Sequence, residues 1–156
     1  MFESSKKLGE DITGLLTALR RLGSGRYSCL IEPKGIVFES SDPTESDQWM
    51  LRRFLEQRTA ALFAIPDALA AGGPAEDMFA DWERDEFLLA FINGRVAVVV
   101  ACPEAEPLKE KAGELIRVFA DRLLRFNAAW RVDQKGRGLF FGRAKLDLIV
   151  IGRASE

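Results

Sequence analysis

The stretch from Glu86 to Cys102 has the clearest hydrophobic pattern in the chain, because two apolar runs flank the dipeptide Asn93-Gly94. Asn-Gly tolerates the positive φ angles that a type I′ turn requires, so this pattern predicts a β-hairpin. The second run, Val96 to Ala101, has no polar alternation, which is typical of a strand covered on both faces. We therefore expect the central sheet to lie between layers of helices.

Two helices are predicted, one well before this hairpin and one directly after it, because apolar residues recur there every three or four positions. The first runs from Leu8 to Leu22, and Gly23-Ser24-Gly25 after it is interpreted as a C-cap and connector. This glycine-rich turn follows a helix and lacks the Gly-Lys-Ser/Thr of a phosphate loop. The other helix runs from Pro107 to Asn127.

The middle helix has a strong start signal at Asp42-Pro43-Thr44-Glu45, where Asp42 occupies the N-cap position and Pro43 the first helical position. Its apolar stripe continues to Phe63, and we expect Pro66 to kink or end the helix. A loop or a short helical turn should then lead to Gly72-Gly73-Pro74.

Further strands are predicted from shorter apolar runs. Arg26–Glu32 and Ile36–Ser40, joined by Pro33-Lys34-Gly35, have the pattern of a second hairpin. Residues 76–86 combine acidic residues with spaced aromatics, and we interpret them as an edge strand that forms a hairpin with the strand starting at Glu86. Leu146–Ile151 is predicted to be a final strand.

The order of these elements predicts an α+β domain. We expect an α-β-β-α-β-β-β-α arrangement, with a central antiparallel sheet, helices on both of its faces and a C-terminal β extension. The chain has 156 residues and is 47% hydrophobic, which matches a single domain that spans residues 1–156.

Charge and targeting signals limit the possible partners. The net charge of −2 and the pI of about 5.4 give no reason to expect nucleic-acid binding. From Arg125 onward seven basic residues face three acidic ones, which we interpret as a solvated basic face. No apolar stretch approaches the roughly 20 residues that span a bilayer, and the first residues lack a signal-peptide core. We therefore expect a cytoplasmic protein without membrane insertion.

Candidate catalytic groups are few, because the chain contains no histidine. Cys29 and Cys102 lie in predicted strands without metal or redox spacing, so we expect buried free thiols. The acidic pairs Glu104/Glu106 and Asp85/Glu86 are candidates for acid–base chemistry, but solvated charges are the expected interpretation. The sequence thus predicts neither an enzyme nor a metal site nor a bound cofactor.

From Leu15 to Ser41 a leucine-lined helix leads into Tyr-Ser-Cys-Leu-Ile-Glu-Pro-Lys-Gly-Ile-Val-Phe-Glu-Ser-Ser, and the three-strand block leads into the last helix. In these features, and in Gly35 of the hairpin, the chain resembles the roadblock family of dynein-light-chain-like and bacterial GTPase-regulator domains. The resemblance covers roughly residues 8–127, and residues 128–156 form an extension. It implies a homodimeric, non-enzymatic domain that binds or regulates a Ras-like small GTPase. Profilin-like, longin-like and GAF-like folds remain alternatives, and a GAF-like or profilin-like fold would indicate a small-molecule sensor or regulatory domain.

The resemblance also implies an interface on the second helix, where Arg52 and Arg53 lie, and we expect the predicted edge strand to join it. Alternation along that strand would place Met78, Trp82 and Arg84 on one face and carboxylates on the other. We therefore expect a homodimer built on this edge and the second helix. Trp49, Trp82 and Trp130 are each expected to pack in the core, with an interface role as the alternative.

Overall fold

The computed structural model describes residues 5–40, 45–72, 79, 82, 84–126 and 145–152. The helices are α1 (Ser5–Leu22), α2 (Glu45–Glu56), α3 (Thr59–Leu62), α4 (Ile65–Ala70) and α5 (Lys109–Leu124), which a 3₁₀ turn at Glu106–Leu108 precedes. The strands are β1 (Tyr27–Glu32), β2 (Gly35–Glu39), β3 (Glu86–Ile92), β4 (Val96–Cys102) and β5 (Leu146–Ile151). Among these residues the strands form one antiparallel five-stranded sheet in the order β2-β1-β4-β3-β5. The fold class is α+β, as predicted.

Helices cover both faces of this sheet, because successive side chains of a strand point to opposite faces. On one face Leu30, Val98 and Val100 pack in a cluster with the apolar stripes of α1 and α5. On the other face Cys29 and Val99 pack with apolar residues of α2, α3 and α4. Every residue of β4 is buried, which explains its uninterrupted apolar sequence.

The central hairpin is confirmed. Its turn residues Asn93 and Gly94 have φ angles of 52° and 66°, the left-handed values of a type I′ turn. The predicted end of α1 is also confirmed, although Ser24 adopts the left-handed conformation, with φ of 52°. The N–H of Gly25 donates to the carbonyl of Arg20 at 2.7 Å and closes the C-cap.

The prediction of an edge strand over residues 76–86 is wrong for the residues that the structure describes there. Phe79, Trp82, Arg84 and Asp85 lie outside any strand, and β3 begins at Glu86. The position beside β3 is filled by β5, which pairs with it from Phe87 to Ile92. Phe79 is buried, with its ring centroid 4.7 Å from that of Phe87, so this residue covers a face of the sheet instead of extending its edge.

The prediction of one continuous middle helix is also wrong, because α2 ends at Glu56 and two short helices, α3 and α4, follow it. The guanidinium of Arg58 donates to the carbonyl of Phe54 at 2.8 Å and lies 3.8 Å from the Phe54 ring, which caps α2. Thr59 then anchors α3 to the β1–β2 turn through the carbonyl of Pro33, at 3.2 Å. Pro66 lies in the first turn of α4, where its missing N–H has no cost. The expected short helical turn is therefore α4.

None of the helices in these ranges is long and apolar enough to cross a membrane.

Candidate functional site

Within the described ranges, the most connected polar cluster joins β1, β2 and α2 around the carboxylate of Glu39. Arg52 donates to it twice, from Nε to Oε2 at 2.7 Å and from Nη2 to Oε1 at 2.7 Å. Tyr27 donates its hydroxyl to Oε2 at 2.5 Å, and Gln48 donates to the same oxygen at 3.2 Å. A bidentate arginine–carboxylate pair restricts both side chains, so α2 is fixed against the edge of the sheet.

Burial and hydrogen bonding shift the pKa values of this Glu39 cluster. Partial burial raises the pKa of the Glu39 carboxyl, but the hydrogen bonds from Arg52, Tyr27 and Gln48 outweigh it and hold that pKa below its usual range. Bonding to Glu39 raises the pKa of Arg52. Tyr27 is fully buried, and this desolvation, with the nearby Cys29 and Glu39, raises its pKa well above the ordinary value. At neutral pH the cluster therefore holds a Glu39–Arg52 ion pair beside a protonated Tyr27.

The side of α2 that faces away from the sheet carries an exposed surface of mixed character. It borders a shallow cleft of about 350 Å³ lined by Trp49, Arg52, Arg53, Glu56 and Gln57. Trp49 is 58% exposed, and the Arg53 guanidinium lies 5.5 Å from its ring centroid. We call these five residues the α2 outer face. An exposed tryptophan beside arginines is the composition of interface hot spots rather than of ordinary solvated helices.

The predicted interface residues lie in different parts of the structure. Arg52 and Arg53 both lie on the α2 outer face, where Arg52 is bound to Glu39 and Arg53 is exposed. Trp82 is half-buried and packs on Phe54 on the sheet side of α2, with ring centroids 5.0 Å apart. Arg84 is exposed in a bend before β3. Met78 lies outside the described residues, as does Trp130.

Asp85 differs from the solvated charge that the sequence suggested, because only 1% of its surface is exposed. The Trp82 indole donates to its Oδ2 at 3.0 Å, and Arg26 Nε lies 3.2 Å from its Oδ1. The neighbouring carboxylate of Glu86 accepts the N–H of Ala105 at 2.8 Å. Both groups have structural partners, whereas Glu104 and Glu106 are exposed, as expected.

The remaining chemical candidates are the two cysteines. Cys29 and Cys102 are buried free thiols, as predicted. Burial raises the pKa of Cys29, and burial together with the carboxylates of Glu86 and Asp85 raises the pKa of Cys102 to about 11. In the part of the chain that the structure describes, no three His, Cys, Asp or Glu residues are grouped to hold a metal ion.

Comparison with known proteins adds no relative. No family model, curated protein or solved structure matches the chain.

Sequence reasoning missed Glu39 and Tyr27 as partners of Arg52, and it did not place Trp49 on the surface. One signal was present, because Trp49, Arg53 and Glu56 fall on one helical face opposite the apolar residues Leu51 and Leu55. No sequence signal pointed to the Glu39 cluster, because Tyr27 and Glu39 come together only through the strand register that pairs Cys29 with Glu39.

Proposed function

We propose that this protein is a non-enzymatic interaction domain that forms a homodimer through the α2 outer face and binds or regulates a Ras-like small GTPase. The observation that carries the proposal is the exposed Trp49–Arg53–Glu56 stripe on a helix that the Glu39–Arg52 pair attaches to the sheet. A helix that is already attached loses less conformational entropy on association, and exposed aromatic and arginine side chains are the ones that most often dominate binding energy.

The charges of this face favour a second copy of the chain as its partner. Arg53 and Glu56 are one helical turn apart and both are exposed. If two α2 helices pack antiparallel about a two-fold axis between these residues, each Arg53 meets the partner's Glu56, and two ion pairs form at once. Met50, which is 43% exposed, and Trp49 would add apolar contact beside them.

The GTPase part of the proposal is supported by the resemblance to the roadblock family and by the element order. In the described residues α1, β1, β2 and α2 come before the β3–β4 hairpin and α5, which is the order on which the resemblance rests. We propose the same layered arrangement with one change: β5 takes the place expected for the third strand of the block. The buried thiols and structurally paired carboxylates are consistent with a domain that acts by binding.

Two measurements test the two parts of the proposal. Sedimentation velocity over a micromolar concentration series should give a dimer, and a monomer at all concentrations would overturn the dimer. Purified protein should bind one of the small GTPases of the same cell in one nucleotide state, or change its rate of GTP hydrolysis. If none is bound in its GDP- or GTP-loaded form and no hydrolysis rate changes, the regulatory role is wrong. A ligand that raises the melting temperature would then favour the sensor alternative.

A further inference from the structure

A long groove lies at the opposite edge of the sheet from β2 and involves none of the α2 outer face. It has a volume of about 710 Å³ and runs between α4 and β5, with the turn residues Asn93 and Gly94 at one end. All of its lining residues belong to the described ranges. This volume lies within the range of ligand-binding clefts.

The groove follows β5, whose edge away from β3 has no partner strand among the described residues. Five consecutive residues, Lys145 to Ile149, border it. The side chains of Leu146 and Leu148 pack on the opposite face of the sheet, in the cluster with α1 and α5, so we infer that these two residues border the groove through their backbone. Five extended residues span about 17 Å, enough to pair with a segment of similar length.

One end of this edge is fixed by the central hairpin. The N–H of Asn93 donates to the carbonyl of Lys145 at 2.8 Å, and the N–H of Lys145 donates to Asn93 Oδ1 at 2.6 Å. These bonds hold the start of β5 against the turn, so the edge is preformed and an incoming strand need not order it.

The wall of the groove opposite β5 is apolar except for the carboxylate of Asp67. Leu69 of α4 is 43% exposed and Phe63 is half-buried, and both border the groove with Ile149. Three lining side chains are charged: Asp67, Lys145 and Asp147. Lys145 Nζ lies 4.0 Å from Asp147 Oδ2, so these two charges offset each other and Asp67 leaves the groove acidic.

We propose that this groove binds an extended segment of a partner protein, which adds a strand to β5, places apolar side chains against Leu69 and Ile149, and sets a lysine or arginine beside Asp67. Main-chain hydrogen bonds to the edge supply affinity in this mode, and the pockets and charges beside the edge supply specificity. The preference for a basic segment follows from the charge of the groove.

The test uses two fluorescein-labelled hexapeptides whose first, third and fifth residues, which share one face of a strand, are valine, lysine and valine in one peptide and valine, glutamate and valine in the other, with threonine at the remaining positions. Fluorescence anisotropy with the full chain should show that the lysine peptide binds about tenfold more tightly. Leu69→Arg should weaken binding of the lysine peptide at least about tenfold, because the arginine occupies the groove and repels the lysine of the peptide. Val118→Arg is the matched control, because Val118 is 77% exposed on α5 and its change should leave binding unaltered.

Charge reversal separates recognition from a mere loss of folding. Asp67→Lys should invert the preference, so that the glutamate peptide binds more tightly than the lysine peptide. Absence of binding by either peptide, or equal binding by the wild type and Leu69→Arg, would overturn the proposal. Self-association that Leu69→Arg abolishes would overturn it as well and would assign the groove to a second copy of the chain.

Discussion

Both carboxylate oxygens of Glu39 accept a hydrogen bond from Arg52, each at 2.7 Å, and this pair connects the outermost strand β2 to the middle of α2. The same carboxylate also accepts the hydroxyl of the buried Tyr27. A group with this many partners affects both the stability of the fold and the position of the α2 outer face.

Removing the Glu39 carboxylate should destabilise the protein by an amount that depends on what replaces it. Glu39→Ala leaves the buried Tyr27 hydroxyl without its acceptor and should cost about 2 kcal/mol of unfolding free energy, while Glu39→Gln keeps an acceptor and should cost about 1 kcal/mol. Urea denaturation measures both. Glu114→Gln, an exposed change on α5, should stay within about 0.5 kcal/mol.

A second substitution tests the assignment of this cost. Tyr27→Phe in the Glu39→Ala background removes the orphaned hydroxyl and should recover part of the lost stability. Equal stability of Glu39→Ala and Glu114→Gln would contradict the role of the cluster.

The stability contributed by Glu39 should depend on pH in one direction. Its pKa in the folded protein lies below the ordinary value of 4.5, so its contribution is present above that pH and is lost as the pH falls through the folded-state pKa. Thermal melts between about pH 6 and pH 3 should therefore show a steeper loss of stability for wild type than for Glu39→Gln. Parallel curves would mean that the carboxylate has no net favourable interaction.

Asp85 should behave as a buried structural carboxylate. Asp85→Ala leaves the Trp82 indole N–H without its acceptor and should cost about 2 kcal/mol. Glu104→Ala, on the exposed loop after β4, should cost less than about 0.5 kcal/mol. Chemical denaturation compares the two, and similar small losses would restore the solvated interpretation of Asp85.

Two glycines should respond oppositely to substitution by alanine. Gly14 lies on the exposed side of α1 with nothing within 4 Å of an added Cβ, so Gly14→Ala should stabilise the protein by about 1 kcal/mol. At Gly25 the added Cβ would lie 2.6 Å from the backbone oxygen of Ala101, so Gly25→Ala should destabilise by about 1–3 kcal/mol. Melting temperatures that move together would contradict this placement of α1 and β4.

Much of the fold follows from local sequence signals. Asn93-Gly94 determines a tight hairpin because its φ angles suit few other dipeptides, and the run from Val96 to Ala101 can only be buried on both faces. The order of the strands in the sheet could not be predicted from these local signals. Residues 76–86 and Leu146–Ile151 both looked able to form strands, and pairing with β3 is a non-local choice that neither pattern encodes.

The site was less predictable because its contacts are long-range. Arg52 and Arg53 were identified from the helix, but their different roles depend on Glu39, which the β1–β2 register places beside one of them. The end of α2 at Glu56 has no Gly or Pro signal, since Arg58 and Thr59 determine it through their contacts with Phe54 and Pro33. Asp85 looked solvated because its partner Arg26 lies far away in the sequence.

The homodimer itself is tested most directly by exchanging the charges of the α2 outer face. Arg53→Glu and Glu56→Arg alone each place like charges across the proposed two-fold axis, and each variant should sediment as a monomer at concentrations where the wild type is a dimer. Mixing the two variants places opposite charges at both contacts, so sedimentation velocity should show a heterodimer. If both single variants remain dimeric, or if their mixture stays monomeric, the proposed α2 interface is wrong.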